Sequence, residues 1–346
     1  MKMMAIIDYR SDTVTKPSVE MLKFMFNAPV GDDVYGEDPT VNELEKYIAE
    51  YFGKESAMYC TSGTQANQIA INVHVKPGGE VICHAESHIY KYEGGGIAKN
   101  SGASVNLISG NYGRMTAEKV RAAIQPDDVH FPLTSLVCVE DTANRGGGAI
   151  YDMNELDLIA ELCKEKQIPL HLDGARMMNA LVVNKQDPKK YAERFNSISL
   201  CLSKGLGAPV GSVLIADAGF IHRARRVRKV MGGGMRQAGI IAAGGLFAFK
   251  NNVDRLANDH LHALQLAESF SQLSWVESVY PVQTNIVVVC LKSPEKKVEI
   301  IQLFKEKGIL VSSFGEGMIR LVTHLDISNE AIKNTISVMF NLPVTI

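Results

Sequence analysis

At 346 residues and 46% hydrophobic, the chain can bury a substantial core and is long enough for one large domain plus a smaller one. Its 36 Lys and Arg against 38 Asp and Glu give a formal net charge of -2. That balance excludes a general attraction to nucleic acid or anionic membrane and leaves a small molecule as the expected partner.

In chain order, the apolar run from Met3 to Ile7 is too short for a signal-peptide core, and no later run approaches membrane-spanning length. The first twenty residues are expected to pack on a C-terminal lobe. A helix near Val41 to Phe52 precedes a short strand, Ala57 to Cys60. Next comes Ser62-Gly63-Thr64-Gln65-Ala66-Asn67, with a helix expected from Gln65. Backbone N–H groups and hydroxyls at such a helix start can hold a phosphate dianion, although Ser-Gly-Thr also reads as an ordinary capped turn.

A strand at Val81 to Cys83 leads to His88, which could stack on a cofactor ring or exchange a proton with substrate. His130, in Val129-His130-Phe131, is a second candidate. The ordinary alternative for both, and for His74, His84 and His171, is a hydrogen-bonded core histidine. After the strand Leu136 to Val139, Asp152 can cap a helix with Glu155 three residues on, and Leu156, Ile159, Ala160 and Cys163 line one face of it. Strands follow at Ile168 to Leu172, Ile198 to Leu202 and Val213 to Ala216. A cationic helix with Arg223, Arg225, Arg226, Arg228 and Lys229 then runs into Gly232-Gly233-Gly234-Met235-Arg236. One or two of these charges are expected to meet a cofactor phosphate, with a solvated basic face as the alternative.

The alternation predicts an α/β fold with a mostly parallel sheet in a large domain, residues 21–250. Residues 251–346 read as a small α+β domain and residues 1–20 as a segment packed on it. A long helical stretch from Gln237 to Ser274, broken once, leads into the small domain's strands at Asn285 to Leu291, Ile309 to Ser312 and Met318 to Thr323. One helix opens at Ser293-Pro294 and the last starts near Ser328. Cys60, Cys83, Cys138, Cys163, Cys201 and Cys290 all lie in apolar runs with no Cys-x-x-Cys pair, as expected of buried thiols in a cytoplasmic protein. No ligand cluster at metal spacing is visible.

Lys204, in Ser203-Lys204-Gly205, comes 31 residues after Asp173 of Asp173-Gly174-Ala175-Arg176, and both motifs follow apolar strands. A lysine amine can hold the aldehyde of pyridoxal phosphate, and an aspartate can keep its ring nitrogen protonated so that the ring withdraws electrons. Taken singly, Asp173 is also a plain helix cap and Lys204 a plain surface lysine; their order and spacing carry the reading. Arg176 is placed to reach the cofactor phenolate or a substrate carboxylate. Arg320 interrupts an apolar strand, where a guanidinium needs a partner such as an amino-acid carboxylate or a structural acid. With Ser62-Gly63-Thr64 these groups fall at strand carboxyl ends, where ligands sit in such sheets.

The chain resembles the low-specificity L-threonine aldolases, in the β-eliminating lyase/threonine aldolase superfamily of fold-type I (aspartate aminotransferase-like) pyridoxal-phosphate enzymes. The resemblance rests on Arg10-Ser11-Asp12-Thr13-Val14-Thr15, Val30-Gly31-Asp32-Asp33-Val34-Tyr35-Gly36, the Ser62 to Asn67 stretch, His171 to Arg176, Leu202 to Gly207, Gly232 to Gln237 and Arg320 to Asp326. It implies that Lys204 carries the cofactor, Asp173 binds its ring nitrogen and His88 stacks on it. Gly63 and Thr64 would hold the phosphate, with Lys229 and Arg236 of a neighbouring subunit. Ser11, Arg176 and Arg320 would bind the substrate carboxylate, and Tyr35 would come from the partner of a homotetramer built from tight dimers. The implied reaction is retro-aldol cleavage of threonine-like amino acids to glycine and an aldehyde. One departure stands out: the family's Glu-Asn-Thr-His-Asn reads Glu140-Asp141-Thr142-Ala143-Asn144 here. A β-eliminating lyase acting on serine-like or aromatic amino acids, and a cofactor-binding protein without turnover, are the rival readings.

Overall fold

The computed structural model describes residues 6–344; most of the N-terminal apolar run lies outside the described residues. After β1 (Ile7–Asp8), seven strands form the main sheet: β2 (Ser56–Cys60), β3 (Glu80–His84), β4 (Ser104–Ile108), β5 (Thr134–Glu140), β6 (Leu170–Gly174), β7 (Ser197–Cys201) and β8 (Ser212–Ala216). Their order is β2-β8-β7-β6-β5-β3-β4. Only β8 runs against its neighbours; the remaining pairs are parallel. Every residue of β3, β6, β7 and β8 is buried, as expected where helices cover both faces of a sheet.

Local chemistry sets the element ends. Asp152 accepts hydrogen bonds from the backbone of Asn154 and Glu155 and so starts the helix Met153–Lys166. Glu155 does not complete the expected reciprocal cap; its carboxylate instead accepts from the Ala117 N–H at 2.5 Å and ties in the neighbouring helix. The expected strand start at Ile168 moves to Leu170, because Pro169 has no N–H for the ladder. The helix expected from Gln65 begins at Gly63, with Ser62 capping the Gln65 N–H at 3.1 Å.

A second sheet follows. β9 (Val276–Val279), β10 (Ile286–Leu291), β12 (Ser312–Gly315) and β13 (Met318–Val322) make an antiparallel sheet in the order β12-β13-β10-β9, while β11 (Ile309–Leu310) pairs in parallel with β1. The expected strand Ile309 to Ser312 is thus split at Val311, its halves serving different sheets. The long helical stretch is two helices, Gly239–Asn251 and Leu256–Phe270. Phe270, Trp275, Phe304, Ile319 and Leu321 form the core beside this sheet, and Tyr9 of the N-terminal segment is fully buried among them. The site forms where the main sheet's parallel strands end against this second unit.

Candidate active site

Asp173 is the penultimate residue of β6 and is buried. Its Oδ1 accepts the Ala175 N–H at 3.2 Å and its Oδ2 accepts an Asn67 amide hydrogen at 3.1 Å. Asn67 comes from the second turn of helix Gly63–His74 and also donates to Glu93 Oε1 at 2.9 Å. Glu93, with a fully buried side chain, receives Gln68 Nε2 at 2.6 Å and His88 Nδ1 at 3.1 Å. Burial disfavours a charged His88 imidazole, but the Glu93 hydrogen bond and the nearby Asp173 carboxylate outweigh it and raise its pKa. His88 is anchored at its backbone too: Glu140, at the end of β5, accepts the His88 N–H at 2.8 Å through Oε2 and the Asn144 N–H at 2.8 Å through Oε1. Ligand atoms of His88, Glu93 and Asp173 lie within 4.8 Å of one another, a grouping that scattered sequence positions did not reveal.

Lys204 follows β7 on the same side of the sheet. It is half-buried and close enough to Asp12 and His88 to interact electrostatically with both, and its ammonium enters no ion pair among the described residues. Its backbone carbonyl accepts the Thr15 hydroxyl at 3.4 Å. Ser203 stands beside it, half-buried. The first turn of helix Gly63–His74 leaves Ser62 exposed and Gly63 and Thr64 partly so. A Cβ on Gly63 would lie 2.7 Å from Cys201 Sγ, so glycine lets this turn approach the end of β7.

The three arginines near the site are held differently. Arg176 is buried, with Nε donating to Asp12 Oδ2 at 2.7 Å and one terminal nitrogen to Asp12 Oδ1 at 2.6 Å. Burial alone would raise the Asp12 pKa, but the guanidinium wins and holds it at about 2. The fork expected to face a ligand therefore faces Asp12, and Ser11 sits immediately beside that pair. Arg320, from β13, donates to Asn144 Oδ1 and to the Arg10 carbonyl, each at 3.0 Å. Its Nε is buried without a hydrogen-bond partner among the described residues. Burial first, then the neighbouring Arg176 and Arg145, bring its pKa down to about 10. Arg145, which sequence reasoning missed, stacks 4.0 Å over Phe314 and lies 3.5 Å from Glu86.

A half-buried lysine without an ion pair, an oriented aspartate at a strand end, an open helix start and a buried guanidinium N–H left unpaired form a donor set that fits pyridoxal phosphate and an amino-acid carboxylate. Other expected residues are not gathered within one chain. His130 precedes the amino end of β5, whereas the site lies at the strands' carboxyl ends, and its side chain is 81% exposed and bonded to Asp128. Tyr35 is exposed. Lys229 and Arg236 are exposed near the Gly232–Gly234 turn, whose Gly233 abuts Gln65, and Arg236 pairs with Asp32 at 3.0 Å. Ala143 is buried where the backbone of another loop crowds it: a Cβ on Gly113 would lie 2.8 Å from the Ala143 Cβ.

Residues 8–294 match the sequence model of a family described as Beta-eliminating lyase. A low specificity L-threonine aldolase of Escherichia coli (strain K12) is 42% identical over 326 residues, 94% of this chain and 96% of that protein. A probable low-specificity L-threonine aldolase 2 of Arabidopsis thaliana is 40% identical over 338 residues, 96% of this chain and 95% of that one. Among solved structures, a threonine aldolase of Leishmania major superposes with a TM-score of 0.83 at 21% identity, covering 97% of this chain and 99% of the other, a likeness of fold.

Proposed function

The chain belongs to the beta-eliminating lyase family, among low-specificity L-threonine aldolases, and from that membership we propose that it is a pyridoxal-phosphate-dependent aldehyde lyase. It cleaves L-threonine, L-allo-threonine and related β-hydroxy-α-amino acids to glycine and an aldehyde. The observation that carries the reading is the meeting of Lys204, Asp173 and His88 at one end of the sheet, with Arg320 from the second sheet near the same Asp12 that Lys204 approaches.

When bound, pyridoxal phosphate supplies an aldehyde for an amine and a ring that accepts the electron pair released at Cα. Lys204 would be the amine that holds it, with Ser203 alongside. Asp173 would meet its ring nitrogen, and Ser62, Gly63 and Thr64 would offer donors to its phosphate. Arg320 takes the substrate carboxylate through its unpaired Nε–H, helped by Ser11 and by the Arg176 nitrogen that Asp12 leaves free. Fixing the carboxylate orients the Cα–Cβ bond for cleavage. His88 Nδ1 is engaged by Glu93, so Nε2 accepts the β-hydroxyl proton as the aldehyde leaves. Ring stacking and proton transfer thereby fall to the same imidazole.

The remaining residues act across boundaries between copies. Val129 is 97% exposed and Phe131 and Leu133 are exposed beside His130, while Val19, Leu22, Phe24 and Phe26 put apolar surface on another face. These surfaces support a homo-oligomer, a dimer at minimum and a tetramer of two dimers. In it His130, Tyr35, Lys229 and Arg236 serve a neighbour's site. The division into residues 1–20, 21–250 and 251–346 belongs to the same reading, as do residence in the cytoplasm and a place in threonine breakdown that yields glycine. No helix among the described residues is long and apolar enough to cross a membrane.

The test is aldehyde release from L-threonine, L-allo-threonine and phenylserine, with α-keto acid detection alongside. Glycine with an equimolar aldehyde is expected, and Lys204→Ala abolishes both this and the borohydride-sensitive absorbance of the bound cofactor. An α-keto acid from serine or an aromatic amino acid would instead mark a β-eliminating lyase.

A further inference from the structure

Asn67 lies four residues beyond Gly63, at 1% exposure, and each of its polar atoms has two partners. Its oxygen accepts the Ser199 hydroxyl at 2.5 Å and lies 3.1 Å from His171 Nε2. Its nitrogen donates to Asp173 Oδ2 and to Glu93 Oε1. The amide has only one workable orientation, since a flipped group would aim its oxygen at two carboxylates. Because Asn67 Oδ1 accepts from His171 Nε2, His171 Nδ1 is left to accept from Ser197 Oγ at 2.8 Å. His74 Nε2 in turn lies 2.8 Å from Ser197 Oγ and donates to it. Every donation from His74 onward points toward the two carboxylates. An amide cannot pass a proton along such a chain, so the network does not conduct protons out of the site.

We propose that Asn67 and Glu93 are positioning residues of the reaction, one carboxamide fixing together the carboxylate that faces the cofactor's ring nitrogen and the carboxylate that holds His88. The inference rests on the reading of Asp173 and His88 given under Proposed function. Glu93 meets His88 at Nδ1, so the proton sits there and Nε2 is the nitrogen left for substrate. Gln68 fills the other Glu93 oxygen at 2.6 Å, which leaves the carboxylate little freedom to turn away. Asn67 sets the separation between this pair and Asp173, so a shift at either carboxylate is felt by the other through one rigid group.

The charged groups that face His88 are Glu93, Asp173 at the end of β6, Glu140 at the end of β5 and Lys204 after β7; the Tyr92 ring lies 5.7 Å away. Three are acidic side chains and one is basic. Of these only Glu93 hydrogen-bonds the ring, so its charge should govern the imidazole's titration.

Glu93→Gln tests this, since it keeps volume and one acceptor while removing the charge. In the cofactor-free protein, imidazole nitrogen resonances assigned by comparison with His88→Phe should show the Nδ1-protonated tautomer of His88 in the parent. The titration midpoint should fall by about one pH unit or more in Glu93→Gln. Reconstitution with pyridoxal phosphate gives the second readout: Glu93→Gln and Asn67→Leu each raise the cofactor dissociation constant several-fold, and the double variant is no weaker than Asn67→Leu alone. An unmoved His88 titration in Glu93→Gln overturns the proposal. Independent, multiplying effects of the two substitutions on cofactor binding overturn it as well. If Asn67→Leu does not fold, the titration of Glu93→Gln decides alone. Because that titration needs neither cofactor nor turnover, its failure is distinct from failure of the enzymatic reading, which would show as a parent protein that binds cofactor without releasing aldehyde.

Discussion

Asp12 was visible in the Arg10 to Thr15 stretch only as part of a motif, because nothing in that spacing says that its partner lies 164 residues away. It clasps Arg176 bidentately and also receives Asn285 Nδ2 at 3.3 Å, joining the N-terminal segment, β6's following loop and the strand-bearing C-terminal unit. Asp12→Asn leaves a buried guanidinium without its counter-charge, a loss of about 3–5 kcal/mol for a pair of this kind. A clear fall in Tm and a rise of about tenfold or more in KM, read by calorimetry and steady-state kinetics, are expected. Ala143 makes the opposite case. The departure from the family pattern was legible, but its surroundings were not: a Cβ on Gly113 or Gly146 would lie 2.8 or 3.2 Å from the Ala143 Cβ, so those glycines allow a close approach there. Ala143→His should therefore overpack the loop, costing about 1–3 kcal/mol in denaturant unfolding without raising kcat. Lys204 and Asp173 could be singled out early because strand ends and spacing are local features. Asn67 and Glu93 could not, because a hydrogen-bonded junction exists only once four chain segments meet.

At the scale of elements, the short gap between the first turn of helix Gly63–His74 and the end of β7 decides where a phosphate can sit. Gly63→Ala would drive a methyl into Cys201 Sγ and push the helix start away from the sheet. Cofactor affinity should drop about tenfold, and Gly63→Ala with Cys201→Ala should recover most of it; titration of the cofactor-free protein measures both. Strands were located well by their apolar runs, since all five residues of β7 or β8 are buried and leave no alternation to misread. β1, β4 and β9, short or half-exposed, were missed, and the remaining errors gathered at ends and breaks. Pro169 delayed β6, Ser62 advanced a helix by two residues, and Val311 turned one expected strand into parts of two sheets. Each is a matter of a single donor or of tertiary pairing, which periodicity does not encode.

For the whole molecule, the pH dependence of stability follows from buried ionisable groups. Burial lowers the pKa of His171 and His260 to about 4, and that of His74 to about 3, from a reference of 6.5. The unfolded chain therefore binds more protons below 6.5, and stability is lost as pH falls from there toward those values. Asp141 works the other way: burial raises its pKa from 3.8 to about 7, although the Tyr191 hydroxyl at 2.6 Å opposes the shift. Its contribution is present below 3.8 and lost as pH rises through about 7. Three histidines outweigh one aspartate, so Tm should fall on acidification below 6.5. Asp141→Asn should raise Tm at pH 8 by several degrees and leave it nearly unchanged near pH 4, as thermal scans across the range would show. One more property of the whole chain follows from β1, whose Ile7 and Asp8 pair with Ile309 and Leu310. During synthesis the arm that carries Asp12 emerges long before its strand partner. The arm must wait, uncommitted, beside a main sheet that can already be complete, and a nascent chain stopped before Ile309 should be cut by trypsin at Arg10 far faster than the finished protein.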